Sequence, residues 1–328
     1  MRSMRSGSSP SSHVSPDDVG LSKTLIAVQL LARDLLTRVP GERIPTALQY
    51  QQLIGVGSGT VQKALRTLQS IGAVKLHPRG HTGTFLVDVA IAQLWSFASI
   101  GAPTAVLPLA TSPELMGLAT ALREEFKRLQ IPLQVLYTYG SGRRLELIER
   151  GEADFTVLSG AAAQDLCDND PTWQTLSLAP TSFYYENSWF ILTRRGLDPL
   201  ATNSIRRIGI DPSSHDHAMI TEAEFPLESG YEYVEGNFPF MTEKLAVGEI
   251  DAMAWHQSSL AIPLAAVGIR TRPLQQPAAL EAVARMHTAM IVVHSSRKEL
   301  VRALQLLDLG ALASLQGKVI SQEVLPLY

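Results

Sequence analysis

Cysteine is almost missing from this chain of 328 residues, and its one thiol, Cys167, excludes a disulfide framework and any cysteine-rich zinc site. Long apolar runs are missing too, with none near the ~18–20 residues that cross a bilayer. No G-x-S-x-G, H-E-x-x-H or P-loop pattern occurs, and no spacing ties serine, histidine and aspartate into a triad. Neither catalysis nor a resident cofactor is therefore expected. The first twenty residues carry Arg2 and Arg5 with no apolar stretch behind them, so a disordered tail over 1–20 is expected rather than a secretory signal. A cytoplasmic protein with no membrane partner follows as the expectation. The hydrophobic share of 45% supplies packed cores, and the length suits two domains, or three if one is split.

What is present is unevenly charged. Residues 1–88 hold ten Lys/Arg against five Asp/Glu, which leaves eighteen basic and twenty-six acidic residues for the rest of a chain of net charge −3. A basic front and an acidic rear are expected where only the front meets a polyanion, although chance yields the same asymmetry.

Within that front, Ser22 caps a helix whose apolar positions Leu25, Val28, Ala32, Leu35 and Leu36 share one face, and Pro40-Gly41 stops it. Thr46 caps a short helix, Ala47 to Leu53, and Gly55-Val56-Gly57 turns the chain. A third helix over Ser58 to Ile71 buries Val61, Ala64, Leu65 and Leu68 at the spacing of a core-facing stripe. Its other face carries Gly59, Gln62, Lys63, Arg66 and Gln69, none of them acidic. Glutamine can read adenine through two hydrogen bonds, while lysine and arginine reach guanine or phosphate. Two strands, 73–76 and 84–87, then flank a turn with Arg79 and His81, which reads as a wing. The expected DNA contacts are Thr46, Ser58, Gly59, Thr60, Gln62, Lys63, Arg66, Arg79 and His81. A Gly55-x-Gly57-x-Gly59 nucleotide loop needs a buried strand before it, and Gln49-Tyr50-Gln51-Gln52-Leu53 is not one.

The runs Pro40-Gly41-Glu42-Arg43-Ile44-Pro45-Thr46, Gly55-Val56 to Leu65, and Arg79-Gly80-His81-Thr82-Gly83-Thr84-Phe85 resemble the winged-helix domain of GntR-type regulators. The resemblance covers about residues 22–87 and implies a DNA-binding module over 21–88. Where that family has Ser-Arg entering the third helix, this chain has Gly57-Ser58, and Pro45-Thr46-Ala47-Leu48 replaces Pro-Ser-Glu-Arg.

Residues 89–103 read as an unusually apolar linker. Beyond it, strand and helix alternate: strands over 104–110, 133–138 and 153–158 with helices 112–129 and 141–150 between them, which predicts a parallel sheet. Residues 181–194 read as extended. The pattern resumes with strands 207–210, 231–234 and 250–255, helices 214–224 and 239–247, a strand at 290–293 and a closing helix over 298–312. An echo links the halves: Glu149-Arg150-Gly151-Glu152-Ala153-Asp154-Phe155 against Ala246-Val247-Gly248-Glu249-Ile250-Asp251-Ala252. Shared turn chemistry could produce it, but two α/β lobes built alike describe a Venus-flytrap binding domain. The echo resembles type 2 periplasmic-binding-protein domains, and with the winged helix the whole chain after residue 20 resembles the YhfZ family of GntR-like regulators. The fold expected is thus a winged helix-turn-helix followed by a two-lobed α/β effector domain over 104–328, with lobe I at about 104–180 and 285–328 and lobe II at about 181–284.

In such folds a ligand sits at the carboxyl ends of strands, where helices begin. The candidates there are Thr111, Ser112, Tyr139, Gly140, Ser141, Gly142, Ser159, Gly160, Ser213, Ser214 and His215, whose backbone N–H groups and hydroxyls suit a carboxylate or phosphate. Helix capping alone explains Ser112, Ser141 and Ser214 equally well. Trp255 and His256 end a strand and either contact the ligand or merely pack. Asp211, His215, Asp216 and His217 lack the further spaced ligands of a metal site. The expectation is a homodimeric transcription regulator, with duplex DNA and a small anionic effector as partners. A docking module, an enzyme or a solute-binding protein are the competing readings.

Overall fold

The computed structural model describes residues 22–185, 188–194, 196–197, 205–256 and 264–327. The tail expected over 1–20 lies outside them. The chain divides into two compact units, residues 1–100 and 101–328. Among the described residues no helix is long and apolar enough to cross a membrane.

In the first unit, the Ser22 hydroxyl accepts the Leu25 N–H and opens α1 (Lys23–Leu36). Ala27, Val28, Leu31, Ala32, Leu35 and Leu36 form its buried face, whereas Leu25 lies at the surface. The helix α2 (Ala47–Ile54) starts from a capping box in which Thr46 and Gln49 satisfy each other's backbone N–H. It ends at Gly55, whose φ of 71° is left-handed. So the glycine run closes one helix and opens α3 (Ser58–Ser70), with no strand before it. The strands β1 (Val74–Pro78) and β2 (Thr84–Val89) pair antiparallel around a short turn. Residues 89–103 are not a linker. Their centre is α4 (Ile91–Ala98), packed on α1 with Leu94, Trp95 and Ala98 buried, and Arg33 of α1 donates to the Ala98 and Ser99 carbonyls. Leu94, Trp95 and Ala98 share one face of that helix.

The second unit begins with β3 (Thr104–Leu107), α5 (Pro113–Arg128), β4 (Gln134–Tyr137), α6 (Ser141–Glu149), β5 (Phe155–Ser159), α7 (Gly160–Asn169) and β6 (Trp173–Ser182). It crosses to β7 (Trp189–Thr193), β8 (Arg207–Ile210), α8 (His215–Glu224), β9 (Glu232–Glu235), α9 (Met241–Val247), β10 (Ala252–His256), β11 (Arg270–Pro273) and α10 (Pro277–Met286). It returns through β12 (Thr288–His294), α11 (Lys298–Leu304) and α12 (Leu309–Ile320). Lobe I holds a sheet of order β4-β3-β5-β12-β6, and lobe II one of order β11-β7-β10-β8-β9. Both are mixed, which corrects the parallel expectation: β3, β4 and β5 run parallel, but β12 is antiparallel to β5 and β6. In lobe II, β8, β9 and β10 are parallel, and β7 runs against β10. The expected single helix over 298–312 is broken, because the Asp308 side chain accepts the Ala311 N–H and starts α12 afresh.

The echoed step has one physical role in both lobes. Gly151 and Gly248 adopt φ of 72° and 80°, ending a helix in the left-handed region. Three residues on, Asp154 accepts the Thr104 N–H at 2.7 Å, and Asp251 accepts the Arg206 and Arg207 N–H groups at 3.1 and 2.9 Å. Each carboxylate pins the entrance of the parallel strand beside it, β3 or β8. Against the cost of its burial, these bonds and the Arg194 and Arg207 guanidinium groups hold Asp251 down to about 2.

Candidate functional site

Two surfaces gather the polar residues. On α3, Val61, Ala64 and Leu68 face inward, while Gly59, Gln62, Lys63, Arg66 and Gln69 are exposed and Ser58 and Thr60 half-buried. Thr46, Gln62 and Arg66 line one groove with Pro78, Gly83 and Thr84 of the β-ribbon. Ser58, Gly59, Thr60 and Lys63 lie outside that groove. The ribbon's turn carries Arg79 and His81, both exposed, and the Arg79 guanidinium lies 4.6 Å from the centre of the Phe85 ring. Gly83 has φ 102°, and a Cβ there would meet Arg43 Nε at 2.5 Å, so the turn is seated directly on the Arg43 side chain. Thr46 spends a lone pair on its cap, and Gln51 Oε1 accepts the Ser58 N–H.

In the second unit, a cavity of about 260 Å³ opens between the lobes at the carboxyl ends of β3, β4, β8 and β10. That is near the lower end of the ~300–1,000 Å³ usual for small-molecule sites. Thr111, Tyr139, Gly140, Ser141, Ser214, Trp255 and His256 line it. The remaining sequence candidates do other work. Ser112 is buried as the cap of α5. Ser159 caps α7 and donates to Asp216 at 2.6 Å. Gly160 is crowded by the Arg285 carbonyl, 2.6 Å from where its Cβ would stand. Ser213 donates to Asp211 at 2.6 Å and packs on Gly140, and Gly142 donates to the Ser213 carbonyl. His215 meets Asp165 at 3.0 Å along a separate groove. With the bond from the His215 N–H to Ser141 Oγ, at 3.0 Å, these contacts lace the lobes together beside the cavity.

Sequence reasoning missed much of the wall: Arg144, Tyr184, Trp189, Asp216, His217 and Phe238. Arg144 was within reach, one helical turn after Ser141 on the same face. In sequence, Asp216 stands in a run that invites a metal or catalytic reading rather than a place in a ligand cavity. Among the described residues no cluster of three or more such groups is placed to hold a metal. Instead Asp211 accepts the Phe238 N–H at 2.8 Å and sets that ring in the wall. His217 Nδ1 accepts the Asp211 N–H and its Nε2 faces the Ala254 carbonyl, each at 3.1 Å, which puts the proton on Nε2. Burial pulls His217 down to about 4.

The wall is rich in unused hydrogen-bonding groups. Among the described residues the buried indole nitrogens of Trp189 and Trp255 have no partner, nor does either ring nitrogen of His256, which burial also pulls down to about 4. Arg144 donates through Nε to Thr156 at 3.2 Å and through Nη1 to the Gly140 carbonyl at 3.1 Å, and its Nη2 has no partner among the described residues. Burial draws this guanidinium down to about 10, so it stays charged at neutral pH. Asp216 accepts from Ser159 and from the Tyr184 hydroxyl, while burial pushes its carboxyl up. Around them Phe238 stacks on Trp255 with centroids 4.4 Å apart, and Tyr184 meets His256 edge-on at 5.0 Å.

Comparison with known proteins agrees with this architecture. A helix-turn-helix domain model matches residues 40–86, and the model for the YhfZ C-terminal domain matches residues 91–328. The uncharacterized protein YhfZ of Escherichia coli (strain K12) is 26% identical over 309 residues, which is 94% of this chain and 98% of that protein. The crystal structure of YhfZ from Shigella flexneri is 24% identical with a TM-score of 0.57, covering 73% of this chain and 98% of that one. The alkanesulfonate-binding protein SsuA from Xanthomonas axonopodis pv. citri, bound to MOPS, is 14% identical with a TM-score of 0.50, covering 68% and 75%. That likeness shows the fold of the second unit, a two-lobed type 2 periplasmic-binding-protein architecture with mixed sheets. A helix-turn-helix followed by this domain, matched over nearly three quarters of its length by one family model, makes the chain a member of the YhfZ family.

Proposed function

We propose that the protein is a DNA-binding transcription regulator whose second unit senses a small anionic metabolite in the cavity between its lobes. The buried guanidinium of Arg144 in the wall of that cavity, beside the buried rings of Trp189 and Trp255, carries the sensing half of this reading. The exposed, acid-free face of α3 and the GntR-like character of its flanking motifs support the DNA-binding half. The chain acts as a cytoplasmic homodimer, since helix-turn-helix operators usually mirror a two-fold axis, and it catalyses no reaction. A ligand that favours one lobe arrangement by about 1–3 kcal/mol changes DNA affinity roughly 5–150-fold.

The test uses the full chain. Genomic DNA fragments that it retains are measured for affinity across a salt series, with and without compounds that raise its melting temperature. The expected result is salt-sensitive DNA binding that a stabilising compound shifts. Turnover of such a compound, with no DNA affinity at any salt concentration, overturns the reading in favour of an enzyme. Tight ligand binding with neither DNA affinity nor turnover overturns it in favour of a solute-binding protein.

A further inference from the structure

Two opposite charges share the cavity wall without meeting. Arg144 and Asp216 are 5% and 6% exposed, and no direct ion pair joins them. Elsewhere in the same unit the equally buried Arg272 and Glu224 do meet, at 2.5 Å. A charge taken out of water without a partner is costly, and burying two of opposite sign normally brings them together. Here each is instead fixed by neutral groups that leave valence open. Thr156 and the Gly140 carbonyl hold Arg144 and leave Nη2 free, and the Ser159 and Tyr184 hydroxyls hold Asp216 with lone pairs to spare on both oxygens.

The remaining wall is largely aromatic, with Tyr184, Trp189, Phe238 and Trp255 around the two charged groups. A simple anion would satisfy Arg144 and leave Asp216 buried beside a second negative charge. A simple cation would do the reverse to Arg144. We propose that the cavity takes an amino-acid-type zwitterion, its carboxylate held by Arg144 and its ammonium by Asp216. The stacked rings of Phe238 and Trp255 face its apolar part. This rests on the cavity being the sensing site and narrows the anionic metabolite to one that also carries a cation.

Three matched series are titrated into the full chain by calorimetry and thermal shift: free amino acids, the carboxylic acids that lack their amino group, and the amines that lack their carboxyl group. One or more amino acids are expected to bind, with both singly charged counterparts at least 10-fold weaker. Asp216→Asn is expected to weaken the amino acid at least 10-fold while the matching carboxylic acid binds no more weakly, which removes the discrimination. Arg144→Gln is expected to do the same with respect to the matching amine. The comparison within the unmodified chain decides the matter even if a variant folds poorly. Carboxylic acids or amines that bind as tightly as the amino acids overturn the zwitterion and leave the cavity a ligand site. Silence towards all three series overturns the zwitterion, and the wider melting-temperature screen then decides separately whether the cavity is a ligand site.

Discussion

Both units present guanidinium and ammonium groups, but in opposite media. Lys63, Arg66 and Arg79 stand exposed on α3 and the β-ribbon, where water and salt screen them. Arg144 is nearly sealed in the cavity wall, where screening by salt is weak. The first set suits a long, repetitive polyanion that many weak contacts can hold. The second suits one small molecule held by few strong ones. The same charge therefore means different chemistry depending on whether water reaches it.

Salt is the sharpest way to separate the two. If the α3 surface and the ribbon contact 6–10 phosphates, DNA affinity should fall about 10³–10⁵-fold between 50 and 200 mM salt, whereas cavity affinity should change by less than about threefold. Equal salt dependence in titrations of the two ligands would erase the contrast. Next in size, Arg144→Met should weaken binding of a carboxylate-bearing cavity ligand by roughly 10–150-fold, the worth of a charged hydrogen bond.

Acid should touch the interior first. His217 and His256 hold folded values of about 4 against an ordinary 6.5, so the unfolded chain binds more protons between those limits. Their contribution is whole above about pH 6.5 and is lost as pH falls towards 4, by up to about 2 kcal/mol per ring at pH 5. Urea unfolding midpoints that stay flat across this range would contradict the buried neutral rings. Smallest of all, Lys63→Ala should lower the slope of log affinity against log salt by about one, which the same DNA titrations would reveal.

The first unit was the more legible because its signals are local. The Ser22 and Thr46 caps, the Gly55 stop and the stripe Val61, Ala64, Leu68 each act within one or two turns. Only α4 escaped, since Leu94, Trp95 and Ala98 show apolar content without saying which neighbour buries it. In the second unit most strands were placed, but strand direction is a tertiary property, and nothing in Met290 to Val293 marks β12 as running against β5. The helices α7 and α10 escaped as well. Ser159-Gly160 signals a strand end and a ligand candidate as readily as a helix cap, and Gln275-Gln276-Pro277 shows an opening proline without a side-chain cap. At the cavity, the strand ends led to Thr111, Gly140, Ser141, Ser214, Trp255 and His256. Arg144, Asp216, Tyr184 and Trp189 escaped because their roles depend on two distant segments closing over them.

Ser182 and Thr288 are register partners on the adjacent strands β6 and β12, and the described strands and helices between them in sequence, β7 to α10, belong to lobe II. The chain therefore enters and leaves that lobe through a single doorway, two antiparallel strands wide. A two-residue turn could bridge that gap. Lobe II is, in this sense, a cassette plugged into a frame whose sheet is already complete, and a graft at Ser182 and Thr288 could exchange it for another receptor half.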